Sequence, residues 1–262
     1  MGTSLIIGVA ASSAIFVIGW AWARKLQFYS LVDALWAYSI VVIAIFWLAL
    51  GKGDVSKRAV SGILIATWSI RLGSYLQGRL RRNFPKEDPR YIKLLDHWKH
   101  RETKMFFWFF QSQSLSVILL AFPFLLISQD ASHWSLWESL GLAVALIGIG
   151  GEALADRQMN HFKSLHHDPM AVCREGLWRY SRHPNYFFES IIWVGIYLFA
   201  CGSHYGWATF YAPSIILFLL LRVTGIPPTE AASLARKGDA YRDYQRTTSA
   251  FIPLPPKNHP HA

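Results

Sequence analysis

Charge is what this chain has least of. Asp, Glu, Lys and Arg make up 16% of its 262 residues, where a soluble globular domain carries about 25%. The shortage is also local: residues 31–50 hold one acid and no base, and residues 105–127 hold no charge. A soluble core does not need uncharged runs this long, but a helix crossing a bilayer needs about 20 such residues. Cysteine is scarce too. Cys173 and Cys201 stand alone, without metal-ligand spacing or an evident pairing, which excludes a disulfide-rich module and argues against structural zinc; no metal is expected. Internal repeats and low-complexity tracts are absent, so a single domain over 1–262 is expected, with the part from about 137 onward forming its cofactor-binding half. Residues 1–20 lack a basic leading region and read as a retained first helix rather than a cleaved signal. What is abundant is apolar and aromatic: 53% hydrophobic residues with 12 Trp, 17 Phe and 11 Tyr, as helices with aromatic belts at two water interfaces require. The composition predicts an all-α integral membrane protein.

Apolar windows fall at about 4–22, 28–50, 59–77, 105–127, 136–152, 186–201 and 207–222, predicting seven transmembrane helices. The net charge of +10 could suit nucleic acid, but the bases sit in the connections between windows, and no nucleic-acid partner is expected. Counted from the N-terminal tail, the connections hold none, two, three, nine, none, five, none and six Lys or Arg. One face therefore carries 22 of the 26 bases and the other three, with Arg71 inside the third window. The positive-inside rule then puts the N-terminus outside and the C-terminus in the cytoplasm. In a bacterium this would be the inner or cell membrane, with the active site facing the cytoplasm. The tail predicts two short helices, Thr229 to Gly238 and Asp239 to about Thr247.

Polar side chains within the windows are expensive and are functional hypotheses by default. Asp33, Arg71, Gln111, Gln113, Glu152, Asp156, Glu189 and Arg222 all fall within roughly 12 Å of the expected cytoplasmic surface. The outer halves of the windows are almost wholly apolar. That gradient predicts a chamber with a polar mouth and an oily floor, fit for a charged cofactor and a lipid-like substrate. Plain structural alternatives exist: Asp33 and Arg71 as a buried ion pair, the two glutamines as interhelical glue, and the residues at window ends as snorkelling groups. Residues 148–151, Gly-Ile-Gly-Gly, resemble a dinucleotide fingerprint but end an apolar helix, so close helix packing is the expected role.

The densest polar segment is Glu175–Glu189, EGLWRYSRHPNYFFE, which gathers Arg179, Arg182, His183, Asn185, Tyr186 and Glu189 at the mouth of the sixth window. A helix N-terminus among bases is a ready anion site. With Gly148–Lys163 (GIGGEALADRQMNHFK) and Tyr241–Pro253 (YRDYQRTTSAFIP), and more weakly with residues 30–36, the Arg71 helix and 87–91, this segment resembles the membrane steroid 5α-reductases and their uncharacterised bacterial relatives. The resemblance implies seven spans, a cofactor chamber open to the cytosol, and NADPH-dependent reduction of an enone C=C bond in a lipophilic, 3-oxo-Δ4-steroid-like substrate. Asp156, Asn185 and Glu189 match residues the family uses around NADPH, and Arg71 falls where it has an arginine near the cofactor. Glu152, Lys163, Arg179, Arg182, His183, Tyr186, Tyr241 and Tyr244 lie in the matching segments and join the expected cofactor set.

Asp33 falls near the acid that, with a tyrosine, polarises the substrate ketone in that family. Trp68 stands about where the tyrosine would be, which opens the donor role to Tyr29, Tyr38 or Tyr91. Asp33 would have to be protonated, or else orient a tyrosine. Besides its lipophilic substrate and the membrane lipid, no partner is expected, and the protein should be a monomer. The Arg-His-Pro-Asn-Tyr and late Tyr-x-x-Tyr elements also occur in isoprenylcysteine carboxyl methyltransferases, which use S-adenosylmethionine. That is the alternative enzyme, and a non-catalytic lipid-binding protein is the third possibility.

Overall fold

The structure, a computed structural model, describes residues 1–166, 168 and 170–257. The end of the tail expected in the cytoplasm, 258–262, lies outside the described residues. The chain is helical throughout, and extended pairing among the described residues is confined to an isolated parallel bridge between Ser181 and Ser249. It divides into two units, residues 1–135 with 200–209, and 136–199 with 210 onward.

The first unit is built from α1 (Gly2–Leu26), α2 (Leu31–Leu50), α3 (Val55–Asn83), α4 (Pro89–His97) and α5 (Glu102–Gln129). Helix α1 stops where Gln27 turns into the left-handed region, and its backbone N–H returns to Arg24. Asp54 starts α3 by accepting the Lys57 amide at 3.0 Å, and Asp88 starts α4 by accepting the Arg90 amide at 2.9 Å. Pro89 follows in the first turn of α4, where a missing N–H costs nothing. Helix α5 runs through Pro123, which is buried among apolar side chains. The core of this unit is formed by Phe16, Ile40, Trp47, Trp68, Phe106, Phe110 and Phe124, each essentially inaccessible.

The second unit contains α6 (Leu136–Leu165), a 3-10 turn at Gly176–Arg179, α7 (Pro184–Cys201), α8 (Tyr211–Phe218), α9 (Ile226–Lys237) and α10 (Asp239–Thr247). Helix α6 continues well past the apolar window that ends at 152, and so carries Glu152, Asp156 and Lys163 on helical turns. Gly148 and Gly151 face α7. A Cβ at Gly148 would lie 2.7 Å from the Ile192 backbone nitrogen, and one at Gly151 would lie 2.3 Å from the Phe188 ring. Close helix packing is thus what these glycines provide, as expected, but from inside a helix that runs on to Leu165 rather than from its end.

Among the described residues, six helical segments are long and apolar enough to cross a membrane: Gly2–Leu26, Leu31–Leu50, Val55–Asn83, Glu102–Gln129, Leu136–Leu165 and Gly206–Lys237. They make this a multi-pass membrane protein. The sixth expected span falls on α7, an 18-residue helix outside that set. Pro184, Asn185, Tyr186 and Glu189 occupy its first two turns and dilute its apolar content. The seventh expected span ends in a π turn, Leu219–Val223, that carries Arg222. Helix α9 begins three residues before the expected Thr229, because Pro227 and Pro228 fit a first turn. Helix α10 takes the expected bounds.

Candidate functional site

In the first unit the polar groups meet where α4 folds back on the start of α2. The Glu87 carboxylate accepts the backbone amides of Tyr29 and Ser30, and so caps the N-terminal end of α2. Asp88 binds Arg79 and accepts the Arg90 Nε at 3.1 Å. With the connection held in this way, the next two residues reach Asp33 in the first turn of α2. Arg90 Nη2 donates to Asp33 Oδ2 at 2.7 Å, and the Tyr91 hydroxyl donates to Asp33 Oδ1 at 2.6 Å.

Asp33 is thus an acceptor at both oxygens. Its ion pair is with Arg90, not with Arg71. Tyr91 is 4% exposed. Burial, and then the charge and hydrogen bond of Asp33, push its hydroxyl well above the usual tyrosine range. Tyr91 is the donor in this hydrogen bond, and Asp33 the acceptor. Burial works to raise the Asp88 carboxyl as well, but the hydrogen bonds and charge of Arg90, with Arg79, outweigh it and hold Asp88 below the usual carboxylate range.

The other tyrosines do not join this cluster. The Tyr38 hydroxyl donates to Gln77 Oε1 at 3.3 Å, and its ring lies against Gly73. The Tyr29 ring stacks on Phe106 with centroids 3.8 Å apart. Arg71 is half-buried on α3 and engaged in contacts of its own. Arg90 and its supporters Glu87 and Asp88 are what sequence reasoning missed as functional residues. Their signal was the Asp88-Pro89 helix start, which sets Arg90 and Tyr91 in the first turn of α4.

In the second unit, Glu152 and Asp156 occupy one face of α6 at i, i+4 spacing, with the exposed Lys163 two turns on. Asn185 and Glu189 are spaced likewise on α7, where Glu189 is buried. Asn185 Oδ1 is buried with no hydrogen-bond partner among the described residues. Arg179 is exposed and lines a cleft with Arg174, Thr247, Thr248 and Pro256.

Arg182 and His183 have structural work. Arg182 Nε donates to Glu230 Oε1 at 2.6 Å, and its Nη1 donates to the carbonyls of Gln245 and Thr248. His183 Nε2 lies 3.4 Å from the same Glu230 oxygen, and its ring stacks on Tyr186. The Tyr186 hydroxyl meets Thr229 Oγ1 at 3.1 Å. Tyr244 is buried and donates to the Trp178 carbonyl, while the buried Tyr241 packs edge-on against it. These residues bind the tail to the segment before α7. Glu230, the acceptor shared by Arg182, His183 and Gln245, carried no motif, since only its distance from Arg182 in space reveals it. Among the described residues, no three His, Cys, Asp or Glu are grouped as a metal would need.

Comparison with known proteins gives a family. Residues 19–248 match DUF1295, described as a protein of unknown function. An uncharacterized protein of Schizosaccharomyces pombe is 26% identical over 283 residues, covering 95% of this chain and 79% of that protein. No solved structure matches.

Proposed function

We propose, from the premise that the chain belongs to the DUF1295 family, which includes steroid 5α-reductase-like proteins, that it is an NADPH-dependent reductase of the C=C bond in a lipophilic enone. The observation that carries this reading is the Asp33–Tyr91–Arg90 cluster, a buried hydroxyl held against a paired carboxylate. Bound NADPH would supply the hydride that adds to the enone β-carbon. Its residues would be those of α6 and α7: Asn185 Oδ1, an acceptor without a donor, suits the carboxamide N–H of a nicotinamide, with Glu189 one turn further on. Arg179 and Lys163, both exposed, suit its phosphates.

Tyr91 holds the proton that a ketone oxygen needs as negative charge builds on it, the oxyanion-type stabilisation that usually dominates such steps. A ketone arriving at Tyr91 competes with Asp33 for that proton. Arg90 keeps the displaced Asp33 carboxylate paired, so the exchange leaves no uncompensated charge. The reading includes seven spans, with the N-terminus outside and these residues on the cytoplasmic side of the membrane.

One observation favours a second reading. Arg182 and His183 are spent on Glu230, which leaves fewer bases for phosphate and suits the phosphate-free S-adenosylmethionine of the isoprenylcysteine methyltransferases. Titration of the purified protein with each cofactor decides. NADPH should bind, and Asn185→Ala should weaken it by about 5- to 150-fold, the cost of a lost partner in a poorly solvated site. Tight S-adenosylmethionine binding with no NADPH binding would transfer the chain to the methyltransferases.

A further inference from the structure

The turn between α4 and α5 forms a cleft that the reductase reading does not use, lined by His97, Trp98, Lys99, Arg101 and Met105. It is a tight corner. The Trp98 amide returns to Leu94 at 2.9 Å, the Arg101 amide returns to Trp98 at 2.8 Å, and His100 has φ +69°. The side chains of His97, Lys99 and Arg101 are exposed, with no hydrogen bond or ion pair to any described residue. The neighbouring acid, Glu102, accepts the His100 amide at 2.9 Å.

Its level in the membrane is marked independently. Trp20 Nε1, near the end of α1, donates to the Thr103 carbonyl at 3.2 Å, and its ring meets Phe107 edge-on at 5.3 Å. Trp98 meets Phe106 edge-on at 5.0 Å. Arg24 lies over the Trp20 ring. Indoles with bases beside them, at the ends of two apolar helices, are the signature of a headgroup layer. Met105 gives the cleft an apolar wall where the glycerol and upper acyl chain of a lipid would lie.

We propose that this cleft binds the phosphodiester headgroup of an anionic phospholipid, with Lys99 and Arg101 as its cation partners and Trp98 at the level of the glycerol. The proposal is independent of the reductase reading, because all its residues belong to the first unit and none is in the cofactor set. The test titrates the full chain with phosphatidylglycerol and with phosphatidylcholine, following bound lipid by native mass spectrometry. Phosphatidylglycerol should bind more tightly, and a basic residue at a lipid surface contributes roughly fivefold, so Lys99→Ala/Arg101→Ala should lose on the order of 20-fold. Arg81→Ala/Arg82→Ala removes the same charge from the exposed end of α3 and should retain the preference. Equal loss in both double variants would overturn the site in favour of diffuse attraction. Displacement of phosphatidylglycerol by inorganic phosphate alone would overturn the lipid assignment. Loss of NADPH binding in Lys99→Ala/Arg101→Ala, with lipid binding intact, would give the cleft to the cofactor instead.

Discussion

Tyr91 and Arg90 hold Asp33 from two sides, a hydroxyl on one oxygen and a guanidinium on the other. Tyr91→Phe should therefore lower kcat on an enone such as progesterone by about 10²–10³-fold, the usual loss for one oxyanion donor, with NADPH affinity within a few-fold of wild type. Normal turnover in the folded variant would remove Tyr91 from the chemistry. The same hydroxyl makes a pH prediction. Folded Tyr91 titrates above its unfolded value of about 10, so the folded state keeps a proton that the unfolded state releases. That contribution is complete below about pH 10 and is lost as pH rises through the folded value. Melting temperatures measured across the alkaline range should fall less steeply in Tyr91→Phe. Asp88 acts at the acid end with the opposite sign. Its folded value lies below its unfolded one, so its contribution is present above about pH 4 and is lost as pH falls. Asp88→Asn should destabilise at pH 7 and match wild type near pH 2. A gap unchanged between the two pH values would mean that Asp88 acts as a neutral cap only.

At the scale of elements, the segment before α7 and the tail behave as one piece. Arg182 reaches Glu230 on α9 and the carbonyls that end α10, and its own amide donates to Ser249 at 2.8 Å. Removing one partner of a largely buried pair typically costs about 3–5 kcal/mol, so Arg182→Ala should lower the melting temperature sharply and make the tail protease-sensitive. If Arg182 served a cofactor phosphate instead, the variant would melt normally and lose NADPH affinity alone. This is also where the chain was least legible. Pro227-Pro228 and Gly238 punctuate the tail, so its two helices can be read from residue types whose backbone limits are local. Gly148 and Gly151 were legible as close-packing positions on an apolar stretch, although α6 runs on past them to Leu165. Arg182 and His183 sit in a motif dense with bases, and their employment depends on Glu230, 48 residues away. Likewise Asp33 could be assigned a charged mate by depth, but depth alone does not distinguish Arg71 in the third window from Arg90 on a short helix outside it.

At the scale of the molecule, the two sides expected from the charge count are unequal in what their bases do. Of the three on the sparse side, Lys57 is fully buried, with its ammonium on Asp130 at 2.7 Å and Ser132 at 2.9 Å. Arg58 Nε donates to the Leu48 carbonyl at 2.7 Å, closing the end of α2. Only Lys52 there is exposed without such a role. The span count turns on α7, whose polar first two turns leave a short apolar remainder. If α7 crosses, the connection around Tyr205 lies opposite Arg179, and the chain has seven spans. If it does not, Tyr205 and Arg179 share a side. Paired reporters, a phosphatase active only outside and a fluorescent protein that folds only inside, placed after Lys99, Ser132, Arg179 and Tyr205 separate these cases. Crossing predicts fluorescence at Lys99 and Arg179 and phosphatase activity at Ser132 and Tyr205. Fluorescence at Tyr205 would leave α7 as a helix that enters the membrane without spanning it, and the count at six.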